Sequence, residues 1–113
     1  MELRHLRYFV AVAEEKSFNK AAERLFISQP PLSRQIKQLE EEIGVTLIDR
    51  DNRPLKLTEA GDFFYDHALQ IIKKSDDLRA MTFRKGNFYN SLSIGFVSSI
   101  VYGILPKVMA RFR

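Results

Sequence analysis

Apolar side chains recur at helical spacing in several stretches of the chain and, in one stretch between them, at a spacing that suits a hairpin. Leu3, Leu6, Val10 and Ala13, widened by Phe9, form one stripe, so residues 3 to about 16 are expected to make an amphipathic helix. Ser17 stands where an N-cap would begin a second helix carrying Ala21, Ala22 and Leu25. After the short connection Phe26-Ile27-Ser28, Ser28 is expected to cap a third helix with Leu32, Ile36, Leu39 and Ile43 on its apolar face. Pro30 and Pro31 do not forbid that helix, because first-turn N–H groups lack intrahelical partners anyway. Gly44 suits a left-handed helix end.

From Val45 to Leu57 the pattern changes. Val45, Leu47 and Ile48 on one side and Leu55 and Leu57 on the other flank the polar tip Arg50-Asp51-Asn52-Arg53-Pro54, which predicts a short hairpin. Thr58 then caps a long helix, expected from about Glu59 to Arg84. Within it Phe64, Ala68, Ile71, Ser75, Leu78 and Thr82 alternate four and three apart, as in a coiled-coil seam with two polar interruptions. Gly86 to Ser91 reads as a hinge. Leu92 to Val97 reads as a buried strand, and Ile104-Leu105-Pro106-Lys107-Val108 opens another helix.

Two short helices, a tight turn and a capped third helix make a helix-turn-helix pattern. Ala21 and Ala22 are small enough for helices 2 and 3 to approach closely, and Ile27 can plug the gap between them. The expected fold is mainly α: a winged helix-turn-helix with a short β-hairpin wing and a long dimerising linker helix. The organisation expected is a winged helix-turn-helix domain over 1–58, the linker helix over 59–85, a hinge over 86–91 and the start of a further domain over 92–113.

The third helix divides by face. Opposite the apolar stripe lie Pro30, Ser33, Arg34 and Lys37, with Gln29 at the leading end. Gln and Arg can bond base edges bidentately in the major groove, and Ser can bond bases or phosphates. The charge is polarised as well, since Arg34 and Lys37 lie in the first half and Glu40, Glu41 and Glu42 crowd the last turn. Docking by the N-terminal end keeps those carboxylates away from phosphates. Taken alone, the helix could equally be an ordinary amphipathic surface helix. The hairpin behind it, with Arg50 and Arg53 at the tip, favours a DNA reader whose wing reaches the adjacent minor groove or backbone. Pro54 stiffens the chain after Arg53, which favours Arg53 for groove insertion; Arg50 either joins it or pairs with Asp49 or Asp51.

Composition adds little to this. The net charge is +4, from 18 basic and 14 acidic residues. Residues 1–58, however, hold ten basic and nine acidic side chains, so placement of charge matters more than its sum. An apolar fraction of 45% supports a folded core, and the absence of cysteine excludes disulfides and thiolate metal sites. No secretory signal or membrane-spanning run stands out, which points to a cytoplasmic protein.

The run Ser17-Phe18-x-x-Ala21-Ala22-x-x-Leu25-x-x-Ser28-Gln29-Pro30-Pro31-Leu32-Ser33-Arg34-Gln35-Ile36-x-x-Leu39-Glu40, followed by Gly44-Val45-x-Leu47 and Leu57-Thr58-x-Ala60-Gly61, resembles the signature of LysR-type transcription regulators. The resemblance implies a bacterial DNA-binding domain whose linker helix pairs antiparallel with that of a second subunit, and a larger effector-binding domain. It also implies major-groove contacts from Gln29, Pro30, Pro31, Ser33 and Arg34 and a wing contact from Arg53. With Ser28, Lys37, Arg50 and Pro54 these form the candidate DNA-binding set. The implied partners are a double-stranded operator with an interrupted inverted repeat, a second copy through the linker helix, a tetramer at full length and a small-molecule inducer.

Family members continue into two α/β subdomains, so this chain is expected to be a fragment. Its tail, Leu92-Ser93-Ile94-Gly95-Phe96-Val97-Ser98-Ser99, is similar to regulators of benzoate and catechol catabolism. In that subgroup the serine at the position of Ser99 touches a dicarboxylate inducer. Ser98 and Ser99 serve equally as helix caps, and capping is the reading kept here because the opposing pocket wall lies beyond this sequence.

A linker helix with a Phe-Ala-Ile-Leu seam must cover another surface, and a symmetric partner is the simplest one. Part of it is expected to fold back, since Phe63 and Phe64 cannot both face that partner. Two other classes of function fit the residues less well. An enzyme is disfavoured: His5 and His67 lie far apart, with no nucleophile motif, metal spacing or phosphate loop around either, and no cofactor is implied. A winged-helix adaptor that binds only proteins would tolerate loss of Arg34 and Arg53, whereas a DNA reader would not.

Overall fold

The structure, a computed structural model, describes residues 1–94, with side chains to residue 87. Its elements in chain order are α1 (Leu3–Glu15), α2 (Phe18–Leu25), α3 (Gln29–Ile43), β1 (Ile48–Asp49), β2 (Lys56–Leu57) and α4 (Glu59–Ile94). Two compact units divide it, Met1–Ile72 and the chain from Lys73 onward.

In the first unit, each helix ends where a local chemical signal sits. At the start of α1 the Glu2 N–H donates to His5 Nδ1 at 3.0 Å, so His5 is a capping residue. Lys16 ends α1 in a left-handed conformation with φ 56°. The Ser17 hydroxyl accepts from Lys20 N–H and caps α2, as expected. Phe26 closes α2 with φ 59°, its side chain 94% exposed, and so lets the half-buried Ile27 turn back against the core.

Phe9, Val12, Leu32, Ile36, Leu39, Leu47 and Ile48 are the largest fully buried side chains. Ala21 and Ala22 lie in the same cluster. Their small size is what lets α2 seat closely on its neighbours. Ile43 departs from the expected stripe: it is 40% exposed, and the buried residue of that turn is Glu40. The reason is angular, because position 40 falls four residues after Ile36, in line with the stripe, while position 43 ends the helix at its edge.

The hairpin is small, with Ile48 opposite Leu57 and Asp49 opposite Lys56. Val45, expected to flank it, is exposed. Its approach is held by Thr58, whose hydroxyl donates to the Thr46 carbonyl at 2.7 Å and accepts from Gly61 N–H at 3.0 Å, capping α4 as expected. Gly61 is needed here for clearance, since a Cβ would collide with the Leu47 carbonyl.

α4 departs from expectation at both ends. Phe64 meets Phe9 edge-on, with ring centroids 5.0 Å apart, and Ala68 is buried with Leu6 and Val10. Those two members of the predicted dimer seam are therefore consumed by their own domain. Seam spacing defines a helix face but does not say what covers it, and α1 has an apolar side that needs cover. Downstream, the helix runs through the expected hinge at 86–91 as far as Ile94, the last described residue, which falls inside the stretch expected to be a strand. No proline interrupts 59–94. A lone glycine costs a helix only about 1 kcal/mol, too little to break a long one. The remainder of the expected strand, Ser98, Ser99 and the last helix lie outside the described residues.

Candidate nucleic-acid interface

α3 presents Pro30, Arg34 and Lys37 to solvent, with Gln29, Pro31 and Ser33 half-buried along the same run. Among the described residues neither Arg34 nor Lys37 makes an ion pair. Both cations are thus available to an outside acceptor. Gln35, in contrast, accepts from Arg4 of α1 and braces the helix from behind.

Ser28 occupies the N-cap position of α3 with extended backbone, yet its hydroxyl makes no capping bond. The sequence supplies the cause. A capping side chain bonds the N–H of the second or third helical residue. Here those residues are Pro30 and Pro31, which have none. The expected cap is thereby corrected to an exposed serine whose hydroxyl is left for another partner.

The wing separates its two arginines. Arg50 is turned back onto Glu40, 3.0 Å from its Oε1 and 3.4 Å from its Oε2, and lies 5.5 Å above the Phe18 ring. Arg50 thus takes the alternative of pairing with an acid, but that acid is Glu40 and neither Asp49 nor Asp51. Asp49 is occupied with the wing turn, accepting from Asp51 N–H at 3.0 Å and from Asn52 Nδ2 at 2.7 Å. Arg53 stays exposed at the tip, its guanidinium donating to the Arg50 carbonyl at 3.1 Å. Pro54 beside it is exposed too.

Glu40 is the residue that pattern reading missed. Its Oε2 accepts from Leu47 N–H at 2.8 Å and Ile48 N–H at 3.1 Å, in addition to holding Arg50. One carboxylate thus joins the end of α3 to the entry of the wing. The signal was its position in line with the apolar stripe, where an unpartnered charge could not be buried.

A second ionic group ties α1, α2 and α4 within the first unit. Tyr65 Oη donates to Glu14 at 2.6 Å, and Arg24 bridges Glu14 at 2.8 Å and Glu15 at 3.2 Å. The tyrosine hydrogen bond, with Arg24 beside it, holds the Glu14 carboxyl below its ordinary range. The same bond pushes the Tyr65 hydroxyl up to about 12.

Of the expected dimer seam, Ile71 is exposed in the first unit and Leu78 and Thr82 in the second, with Ser75 half-buried. His67 lies against the exposed Phe63 ring, at 4.4 Å between centroids. No helix among the described residues is long and apolar enough to cross a membrane.

Residues 3–62 match the family described as bacterial regulatory helix-turn-helix protein, lysR family. Over 113 residues the chain is 51% identical to the HTH-type transcriptional regulator BenM of Acinetobacter baylyi (strain ATCC 33305 / BD413 / ADP1), covering all of this chain and 37% of that protein. It is 52% identical to the probable cat1 operon transcriptional activator of Acinetobacter lwoffii, covering all of this chain and 38% of that protein. Among solved structures, the BenM_DBD/benA site 1 DNA complex superposes with a TM-score of 0.75 at 57% identity, over 76% of this chain and 97% of that one. The chain therefore spans under two fifths of the length of these two full-length relatives, and most of a relative's domain seen on DNA.

Proposed function

The chain belongs to the lysR family of bacterial regulatory helix-turn-helix proteins, and from that premise we propose that it is the sequence-specific, double-stranded-DNA-reading part of a transcription regulator. α3 enters the major groove by its N-terminal half. Gln29, Ser33 and Arg34 address base edges, Pro30 and Pro31 make close apolar contact, and Ser28 and Lys37 bond phosphates. The wing lays Arg53 and Pro54 on the adjacent minor groove or backbone.

The single observation that carries this reading is the exposed, unpaired Arg34 and Lys37 on the helix face that also bears Gln29 and Ser33. Together these side chains give the exposed face the donors that base edges and phosphates of a major groove accept. A solved DNA complex of a similar domain supports DNA as the partner.

Two copies pair through α4, using Ile71, Leu78 and Thr82, so that two recognition helices read an interrupted inverted repeat. In the full-length protein a small-molecule inducer acts through the effector domain and tetramers form. The similarity to BenM and to the cat1 operon activator supports a place among regulators of aromatic-compound catabolism. A bacterial protein that acts on chromosomal DNA belongs in the cytoplasm, and that is the location we propose.

The test is a salt-dependent titration of the chain against an inverted-repeat operator and a scrambled duplex of equal length. Tight, salt-sensitive binding to the operator alone is expected. Equal weak binding to both duplexes would overturn the reading and return the protein-interaction adaptor.

A further inference from the structure

A cleft of about 310 Å³ opens in the first unit, with Gln29 of α3 on one side and Arg53 of the wing on the other. Lys16 and Ser17 of the α1–α2 corner and Asn19 of α2 contribute the rest of its polar lining, and none of its lining residues is acidic. Leu55 N–H donates to the Lys16 carbonyl at 3.4 Å, tethering the returning strand of the wing to the corner that carries this lysine. Among the described residues Lys16 makes no ion pair, although Arg24, Arg50 and Lys73 each find a carboxylate.

We propose that this cleft is a seat for a DNA backbone phosphodiester, with Lys16 as its principal cation and Ser17 and Asn19 as hydrogen-bond donors. The inference rests on the DNA-reading function above and deepens it, because it follows from duplex geometry. Where α3 lies in a major groove and the wing tip reaches the neighbouring minor groove, the strand between them is a sugar-phosphate backbone. Whatever lies between Gln29 and Arg53 must straddle that strand. A cleft with two cations and no carboxylate fits a phosphodiester, and a contact of this kind positions the protein without reading sequence.

Lys16 itself points the same way. It ends α1 with φ 56°, a conformation that glycine adopts at lower cost. The exposed lysine therefore carries its charge at a position whose backbone glycine would adopt more readily. This gives a test that separates binding from folding. Lys16→Gly relaxes the backbone while removing the cation, so its melting temperature should equal or exceed that of the parent. Lys16→Gln removes the charge with a side chain of similar length. Lys74→Gln, on α4 and outside the cleft, serves as the charge control.

Each protein is titrated against operator and scrambled duplex across a range of salt concentrations. Both Lys16 variants should lose affinity by the same factor on the two duplexes, and the salt dependence should become shallower by about 0.9 per subunit. A methylphosphonate placed between the half-site bases and the wing-contacted groove should weaken the parent by a larger factor than it weakens Lys16→Gln, whose remaining contacts are those of Ser17, Asn19 and Arg53. Unchanged affinity and salt slope in both Lys16 variants would overturn the seat while leaving the DNA-reading function intact. So would a loss confined to the operator, which would make Lys16 a base-reading residue. Failure of the parent to prefer its operator would instead strike the function itself.

Discussion

The Glu40 carboxylate lies 3.0 Å from the guanidinium of Arg50, so the last turn of α3 and the wing are joined through a nearly buried charge. Glu40 also accepts from the Leu47 and Ile48 amides at the entry of the hairpin. Removing it leaves the Leu47 and Ile48 amides without their acceptor and Arg50 without its carboxylate. Glu40→Ala should lower stability by about 2–4 kcal/mol, at the lower end of a broken buried pair because Arg50 is partly solvated. Glu40→Gln, which keeps an acceptor oxygen, should cost less than half as much. Urea midpoints of the two variants check this, and equal losses would show that the charge rather than the acceptor matters.

Two glycines of α4 should respond in opposite directions. Gly61→Ala forces a Cβ against the Leu47 carbonyl and should cost about 1–3 kcal/mol, despite the better helix propensity of alanine. Gly86 lies inside α4 with nothing near its would-be Cβ. Gly86→Ala should therefore raise helicity and stabilise by about 0.5–1 kcal/mol. Circular dichroism melts read both, and an alanine at 86 that leaves helicity unchanged would restore a hinge there.

The Tyr65–Glu14 bond should leave two marks on stability against pH. The folded-state carboxyl of Glu14 is held below its ordinary value of 4.5, so its contribution is present above that pH and lost as the pH falls through the folded value. Tyr65 is raised from 10.0 to about 12, so its contribution is present below pH 10 and fades as pH climbs toward 12. Tyr65→Phe should flatten the alkaline limb and weaken the acid one. Identical pH–stability profiles for parent and variant would remove the bond from the account.

Arg34→Ala should cost about 1–3 kcal/mol of operator affinity and relax base preference at one position of each half-site. The informative measurement is competition among single-base operator variants. An unchanged preference profile would move base reading away from this residue.

Leu78 is 62% exposed on α4 and is predicted to meet a second copy. Leu78→Glu should shift the sedimenting species from dimer to monomer, while Phe64→Ala should act mainly on domain stability, since Phe64 packs on Phe9. A dimer that survives Leu78→Glu would place the interface elsewhere.

Much of this protein was legible from short-range pattern. Ser17 and Thr58 cap helices because a hydroxyl before an apolar repeat meets amides only three residues away. The failed cap at Ser28 is also written locally, in the two prolines that follow it. Gly44 ends α3 at φ 91°, as a left-handed stop should. Such features depend on bonds within one turn of chain, and there sequence alone decides the outcome.

What spacing could not decide was which partner each face would choose. The sequence by itself determined four helices, a hairpin, a tight turn and the exposed cations of α3. Only the tertiary structure decided that Arg50 turns inward to Glu40 while Arg53 stays out, that Phe64 and Ala68 serve their own domain, and that Lys16 shares a cleft with Gln29 and Arg53. The physical reason is that these choices join residues distant in sequence. A periodic pattern marks a surface to be covered, but the covering surface is set by which other elements happen to approach within contact distance.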